Sequence, residues 1–301
     1  MFLQFIGYLS AGVLIIGLIF KILKYALLPE HLRWELYPVA HETKEKLDYG
    51  GSYFEEVDWW EKKIKKSLFN EIKEMLEEIL LLKGVYKNNK QLWNASFPFH
   101  IGLYSLVAHL GFLFIGALLQ VFGIPIVTTN LVGKIIHYLT IGTGVLGFTI
   151  ASIGAIGLII KRATNENLKK YSSIVDFFNL SFLLSIFVFG FLSWIIADPY
   201  FAMIREFIYG LITFKFVIVQ NIFTVITIIL TSAFFIYYPF THMTHPIAKY
   251  FTYHSIRWGD KENTKGSKLE SKVLKNLQRQ VSWEAPHIKS GGTWVDAATS
   301  D

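Results

Sequence analysis

The sequence contains no cysteine among its 301 residues. That excludes disulfides and thiolate-held iron–sulfur clusters, so any such cluster belongs to another subunit. Charge is scarce as well: Asp, Glu, Lys and Arg make up 17% of the chain, against 52% hydrophobic and 16% aromatic residues. A mean hydropathy of +0.40 is too apolar for a water-soluble domain of this length. Internal repeats, low-complexity tracts, a glycine-rich phosphate loop, a nucleophile triad and paired carboxylates are also missing, since Asp176 and Glu206 stand alone near opposite membrane faces. Hydrolytic chemistry has no support here.

What the chain does have is long apolar runs. Hydrocarbon about 30 Å thick calls for roughly 20 apolar residues per helix, and five stretches qualify: Phe2 to Leu23, Phe97 to Phe122, Ile135 to Ile160, Ile174 to Ile196 and Phe216 to Tyr238. In lipid only closed helical hydrogen bonding suits them, so the expected fold is an all-α integral membrane bundle of five transmembrane helices. Met1 is followed by no basic stretch, and no small-residue cleavage site precedes Lys21 and Lys24, so the first run reads as a retained anchor. With the N-terminus outside, 26 of the 29 Lys and Arg fall on the inner side, leaving Lys134, Arg205 and Lys215 outside. The positive-inside rule then explains the net charge of +6 without nucleic acid and puts the C-terminus in the cytoplasm, in a multi-pass protein of the inner (cytoplasmic) membrane.

Four regions follow: a first transmembrane helix over 1–28, a cytoplasmic segment over 29–96, the remaining four helices over 97–245, and a cytoplasmic tail over 246–301. Within the second, the spacing of Ile64, Leu68, Ile72, Met75, Leu76, Ile79 and Leu80 predicts an amphipathic helix from Trp60 to Lys83. It suits either a membrane surface or a docking partner. The tail has no apolar period, yet Trp258, Trp283 and Trp294 suggest that it is ordered against something.

The chemistry rests on histidine. Of nine, His31, His41, His254 and His287 lie in aqueous segments, while His100, His109, His137, His242 and His245 lie in or beside apolar runs, where an ionisable side chain is costly and therefore a functional candidate. Haem iron takes neutral imidazole from two sides, which between helices needs histidines of matching depth. His100 and His245 match near the cytoplasmic side. His109 lies about 13.5 Å deeper than His100 and about 180° around the same helix, so the two cannot share one neighbour. His137, a few residues into the third helix from the other side, can meet His109, and Gly144, Ala151 and Gly154 continue its face as a stripe of small residues that admits either a porphyrin edge or a close helix. His242 competes with His245 for the inner iron, and Pro246 favours an end to regular helix just after His245. For each histidine alone, an interhelical hydrogen bond is the competing account.

Phe99-His100-Ile101-Gly102-Leu103 opening one helix, with Pro239-Phe240-Thr241-His242-Met243-Thr244-His245 closing the last, resembles the gamma subunit of respiratory nitrate reductase. The resemblance implies a dihaem cytochrome b that exchanges electrons with quinone near its outer face and with an iron–sulfur subunit inside. It makes His100 and His245 the ligands of the haem nearer the cytoplasm. The family's other two ligand positions, ten residues after His100 and eighteen before His245, hold Leu110 and Thr227 here. A second haem needs another pairing, and His109 with His137 is the one the outer side offers. Leu32 to Glu42, Tyr49 to Trp60 and Lys249 to His254 are similar to cytochrome subunits of anaerobic electron-transfer complexes whose iron–sulfur partner resembles the catalytic subunit of heterodisulfide reductase. Lys134 resembles in position the basic residue near the family's quinone site, and a snorkelling lysine is its plain alternative.

The sequence thus predicts a haem b subunit that passes electrons between menaquinone and a cytoplasmic iron–sulfur partner in an anaerobic respiratory complex. The competing class is a membrane anchor or transporter without haem. A proton-coupled transporter needs acidic residues at mid-membrane and broken helices, and none of the five runs holds an Asp or Glu deep in its core.

Overall fold

A computed structural model describes residues 1–28, 42, 57–63, 65–127, 129–259, 261 and 264–299. His31, His41, all of the Leu32 to Glu42 motif but Glu42, and residues 49–56 of the Tyr49 to Trp60 motif lie outside the described residues, as does Ile64. Described residues are mostly helical, and five helices are long and apolar enough to cross a membrane. They are α1 (Phe2–Leu27), α4 (Lys90–Val121), α5 (Leu131–Thr164), α7 (Ile174–Ile196) and α9, which runs from Ile222 to Tyr237 and continues as a 3₁₀ turn to Phe240. Between them lie the shorter helices α2 (Leu68–Leu80), α3 (Lys83–Asn88), α6 (Glu166–Lys170) and α8 (Ala202–Thr213). After α9 come α10 (His245–Phe251), a π-helical turn over Thr252–Arg257, α11 (Lys268–Leu277) and α12 (Trp294–Thr299).

The chain divides into two compact units, one of residues 1–17 and 77–240 and the other of residues 18–76 and 241–301. The centre of the first unit is the pair α4 and α5. A Cβ added at Gly102 would collide with the backbone nitrogen of Ala151, and one at Gly154 with that of Phe99. At Gly147 it would meet Leu106 at 2.8 Å. Small residues let the two backbones touch, which is how helices associate where lipid removes the hydrophobic drive between them. Gly144, Ala151 and Gly154 are thus buried by helix packing on α4, which is the second of the two uses the sequence left open for that stripe.

Polar contacts join the other helices. Ser193 and Thr224 hydroxyls bond at 2.6 Å between α7 and α9, and the Tyr237 hydroxyl donates to Asn179 Oδ1 at 2.9 Å farther along the same pair. The first half of α1 lies along α8: the Tyr8 hydroxyl donates to the Leu211 carbonyl at 2.8 Å, Gln4 donates to the Lys215 carbonyl, and Tyr8 stacks on Phe214. Asp176 and Ser173 form a reciprocal cap at the start of α7, so Asp176 is a structural residue.

The amphipathic segment is shorter than predicted. α2 spans Leu68–Leu80, preceded by an isolated 3₁₀ turn at Trp59–Glu61 and ended before Leu82, whose φ of 51° lies in the left-handed region. Leu68, Phe69, Ile72 and Leu76 leave its apolar face exposed. In the second unit, Tyr253 and Trp258 pack with Met75, the Arg257 guanidinium lies 4.6 Å from the Tyr253 ring, and His254 Nδ1 is 3.9 Å from Glu71. The tail is ordered where described. Val281 and Gly292 close a turn by a 2.8 Å backbone bond, and Thr293 and Asp296 cap α12.

The α4–α5 contact yields a direct test. Gly102→Ala and Gly154→Ala each force the two backbones apart and are expected to cost about 1–3 kcal/mol. Gly111→Ala and Gly142→Ala, where an added Cβ meets nothing within 4 Å, are expected to be neutral or to stabilise by up to about 1 kcal/mol through helix propensity. Denaturation of the purified protein in detergent separates the pairs, and equal effects at all four positions would contradict the packing described.

Candidate functional site

The intramembrane histidines have distinct surroundings. His100, in the first unit, lies two residues after Pro98, which removes one backbone donor from α4. Its Nδ1 is 2.7 Å from the Ser96 carbonyl oxygen. A carbonyl only accepts, so Nδ1 carries the hydrogen and in the neutral ring Nε2 holds the lone pair. Metal-ligating histidines are commonly oriented this way, by a backbone carbonyl on the nitrogen that does not bind.

His109 repeats the arrangement at greater depth. It is 4% exposed and faces α5, with Nδ1 2.8 Å from the Thr140 carbonyl. Gly144 makes room for the ring, since a Cβ there would lie 2.8 Å from Nδ1 and Cε1. The ring of Phe201 sits 4.4 Å away edge-on, and Phe148 closes another side at 5.8 Å. Phe201 is fully buried and has a φ of 52°, a strained conformation for an aromatic residue. His109 Nε2 is buried with no hydrogen-bond partner among the described residues. An orphaned imidazole nitrogen in an apolar pocket is costly as a structural device and suits a group that binds there.

His137 lies one turn before Thr140 on α5, half-buried, beside Tyr200 at 5.3 Å and Tyr138 at 5.2 Å. Its Nδ1 is also buried without a partner among the described residues. The structure brings His109 and His137 to neighbouring residues of the linker between α7 and α8, Phe201 and Tyr200. Lys134 is exposed in the first turn of α5.

His242 and His245 belong to the second unit. They are not on a continuing α-helix. His242–Thr244 is a 3₁₀ turn, and His245 begins α10 with Pro246 in its first turn. Pro246 therefore opens a helix, because the fixed φ of proline suits a first turn, where the sequence had suggested that it closes one. In 3₁₀ geometry side chains three apart eclipse, so His242 and His245 lie on one side of the turn.

Sequence reading missed a polar cluster where α4 ends and α8 begins. Glu206 does not stand alone: Gln120 Nε2 donates to its carboxylate at 2.6 Å, and Arg205 Nε donates to Gln120 Oε1 at 3.2 Å. Arg205 is 6% exposed, its stem lies over Gly116, and one terminal nitrogen is buried without a partner among the described residues. Asp198 caps α8 by accepting from the Ala202 and Met203 amides at 2.7 and 2.8 Å. Burial pushes the Asp198 carboxyl above its ordinary pKa, against the pull of those amides and of Arg205. Burial also draws the Arg205 guanidinium down, opposed by Glu206 and Asp198. The signal available in the sequence was the i, i+1 pair Arg205–Glu206 in a weakly charged stretch, but Gln120 comes from a distant helix.

Arg205→Met takes the donor from Gln120 Oε1 and removes the positive charge near Asp198 and Glu206, and is expected to destabilise the purified protein by about 1–3 kcal/mol, whereas Arg205→Lys retains part of that. Thermal unfolding followed by tryptophan fluorescence measures both, and an unchanged midpoint for Arg205→Met would show that neither the Gln120 bond nor the charge of the guanidinium supports the fold.

No curated protein and no solved structure gives a significant match to this chain. The family model described as nitrate reductase gamma subunit matches residues 85–258, which contain α4, α5, α7, α8 and α9 and every intramembrane histidine named above. The chain belongs to the nitrate reductase gamma subunit family, and is a multi-pass membrane electron-transfer subunit of a redox enzyme complex.

Proposed function

We propose that this chain is a haem b subunit that carries electrons between menaquinone and a cytoplasmic iron–sulfur subunit of the kind found with heterodisulfide reductase. The observation that carries the haem reading is the repeated imidazole arrangement: His100 and His109 each give Nδ1–H to a backbone carbonyl, which leaves Nε2 as the donor atom. His109 Nε2 is buried without a partner among the described residues. These residues fit a haem, which when bound supplies one-electron redox chemistry at iron.

His100 and His245 are assigned as ligands of the haem nearer the cytoplasm on the family motif. His109 is assigned to the outer haem, with His137 as the candidate opposite ligand. Tight α4–α5 packing fills the small-residue stripe with helix, so support for this second pairing comes from the two orphaned nitrogens and not from the stripe. His242, on the same side of its turn as His245, suits a haem propionate or an alternative ligand. The protein's part is to hold each imidazole in one tautomer and to exclude water, as Phe148 and Phe201 do at His109.

Menaquinone is placed at the end of the first unit that holds Lys134, His137 and Arg205. The terminal nitrogen of Arg205 that has no partner among the described residues offers a hydrogen-bond donor for a quinone oxygen, and Glu206 is a carboxylate able to take a proton. Orientation follows the distribution of Lys and Arg, which sets this end outside and the two termini on opposite sides.

A reduced-minus-oxidised spectrum and a pyridine-haem assay on the purified chain test the reading, and absence of protohaem ends it in favour of a plain anchor. His100→Ala and His245→Ala are each expected to remove the same spectral component, while loss of two different components shows that they do not share an iron. His137→Ala is expected to halve the haem content if it binds the second iron, and unchanged content removes it from the ligand set.

A further inference from the structure

Lys21 is an unexplained cation. It interrupts the apolar run of α1 between Phe20 and Ile22, and a lysine in such a helix is costly unless its head reaches water or partners. Its partners are specific. Within the second unit, Lys21 Nζ donates to the Thr241 carbonyl at 2.8 Å and to the Thr244 hydroxyl at 2.5 Å. Thr244 is 1% exposed, and its hydroxyl donates onward to the same Thr241 carbonyl at 2.9 Å. The Thr241 hydroxyl in turn accepts from the Met243 amide at 3.2 Å, and the His245 amide donates to the His242 carbonyl.

These bonds close on one another. The Thr241 carbonyl uses both lone pairs, the Thr244 hydroxyl both donates and accepts, and the ammonium ties the pair to α1. The turn so held starts one residue before His242 and ends on His245. A lysine that merely snorkels would present its head to water or lipid phosphate; this one is spent on a backbone carbonyl and a buried hydroxyl.

We infer that Lys21 is a positioning residue for His245: its ammonium fixes the Thr241–Thr244 turn and thereby the orientation of the His245 imidazole. The inference rests on the reading of His245 as a haem ligand. A cation held at this turn also disfavours the more positive, oxidised state of an iron ligated by His245, so its loss lowers the reduction potential.

The test uses the purified full chain with Lys21→Met, Lys21→Gln, Lys21→Arg and, as reference, His245→Ala. The readouts are the low-spin ferric electron paramagnetic resonance signal and the midpoint potential of the component that His245→Ala removes. Lys21→Met is expected to shift that signal and to lower its reduction equilibrium at least threefold, about 28 mV at 59 mV per tenfold for a one-electron couple. Lys21→Arg, which keeps charge and donors, is expected to restore both. If Lys21→Met does not accumulate, Lys21→Gln is read by the same criteria for loss of charge. An unchanged signal and potential in the charge-removing variant, with the component still lost in His245→Ala, overturns the role of Lys21 and leaves His245 standing. Retention of every haem component in His245→Ala overturns the ligand assignment on which the inference rests.

Discussion

The backbone contact between α4 and α5 is the constraint from which the first unit takes its form. Gly102 against Ala151 and Gly154 against Phe99 allow no side chain between the two helices. With depth and rotation fixed at those points, His109 can only face α5, and the carbonyl of Thr140 is where its Nδ1 finds an acceptor. His100 lies off that contact face and is oriented from within its own helix, by Ser96. Two histidines on one helix are therefore held by different means, one by tertiary packing and one by the local ladder.

The opposite physics governs the end of the unit that carries α8. There the chain keeps charge under cover: Gln120 links Arg205 to Glu206, the Asp198 carboxylate caps α8, and a strained Phe201 turns the chain from Asp198 into α8. Burying such a set is worthwhile for stability only when it is fully paired. It is not fully paired, since Arg205, and His137 nearby on α5, each retain a nitrogen without a partner among the described residues. Strain and unsatisfied polarity at one place are the usual marks of a site maintained for use.

Much of the fold was legible because lipid leaves so few options. Hydropathy located all five long helices, and Ile174–Ile196 matches residue for residue. Composition at His109, His137, Gly144 and Gly154 pointed to a helix interface, and the structure shows which neighbour fills it. What escaped is local geometry set by hydrogen bonds. Pro246 reads equally as a stop or a start, and only the 3₁₀ turn before it shows that a helix begins there. The Trp60 to Lys83 helix is cut short by Leu82 in a left-handed conformation that leucine gives no hint of. The Gln120–Arg205–Glu206 cluster joins residues 85 and more positions apart, and a neutral glutamine carries no compositional signal.

The nine-residue interval from His100 to His109 is better understood as an angle than as a length. On a helix of 3.6 residues per turn, a tenth residue would carry the second histidine about 100° farther round while moving it only about 1.5 Å along the axis. The glycine contacts forbid α4 from rotating to compensate. Nine residues turn the deeper imidazole onto the Thr140 carbonyl of α5, so the neighbour that His109 meets was decided by the phase of a single residue.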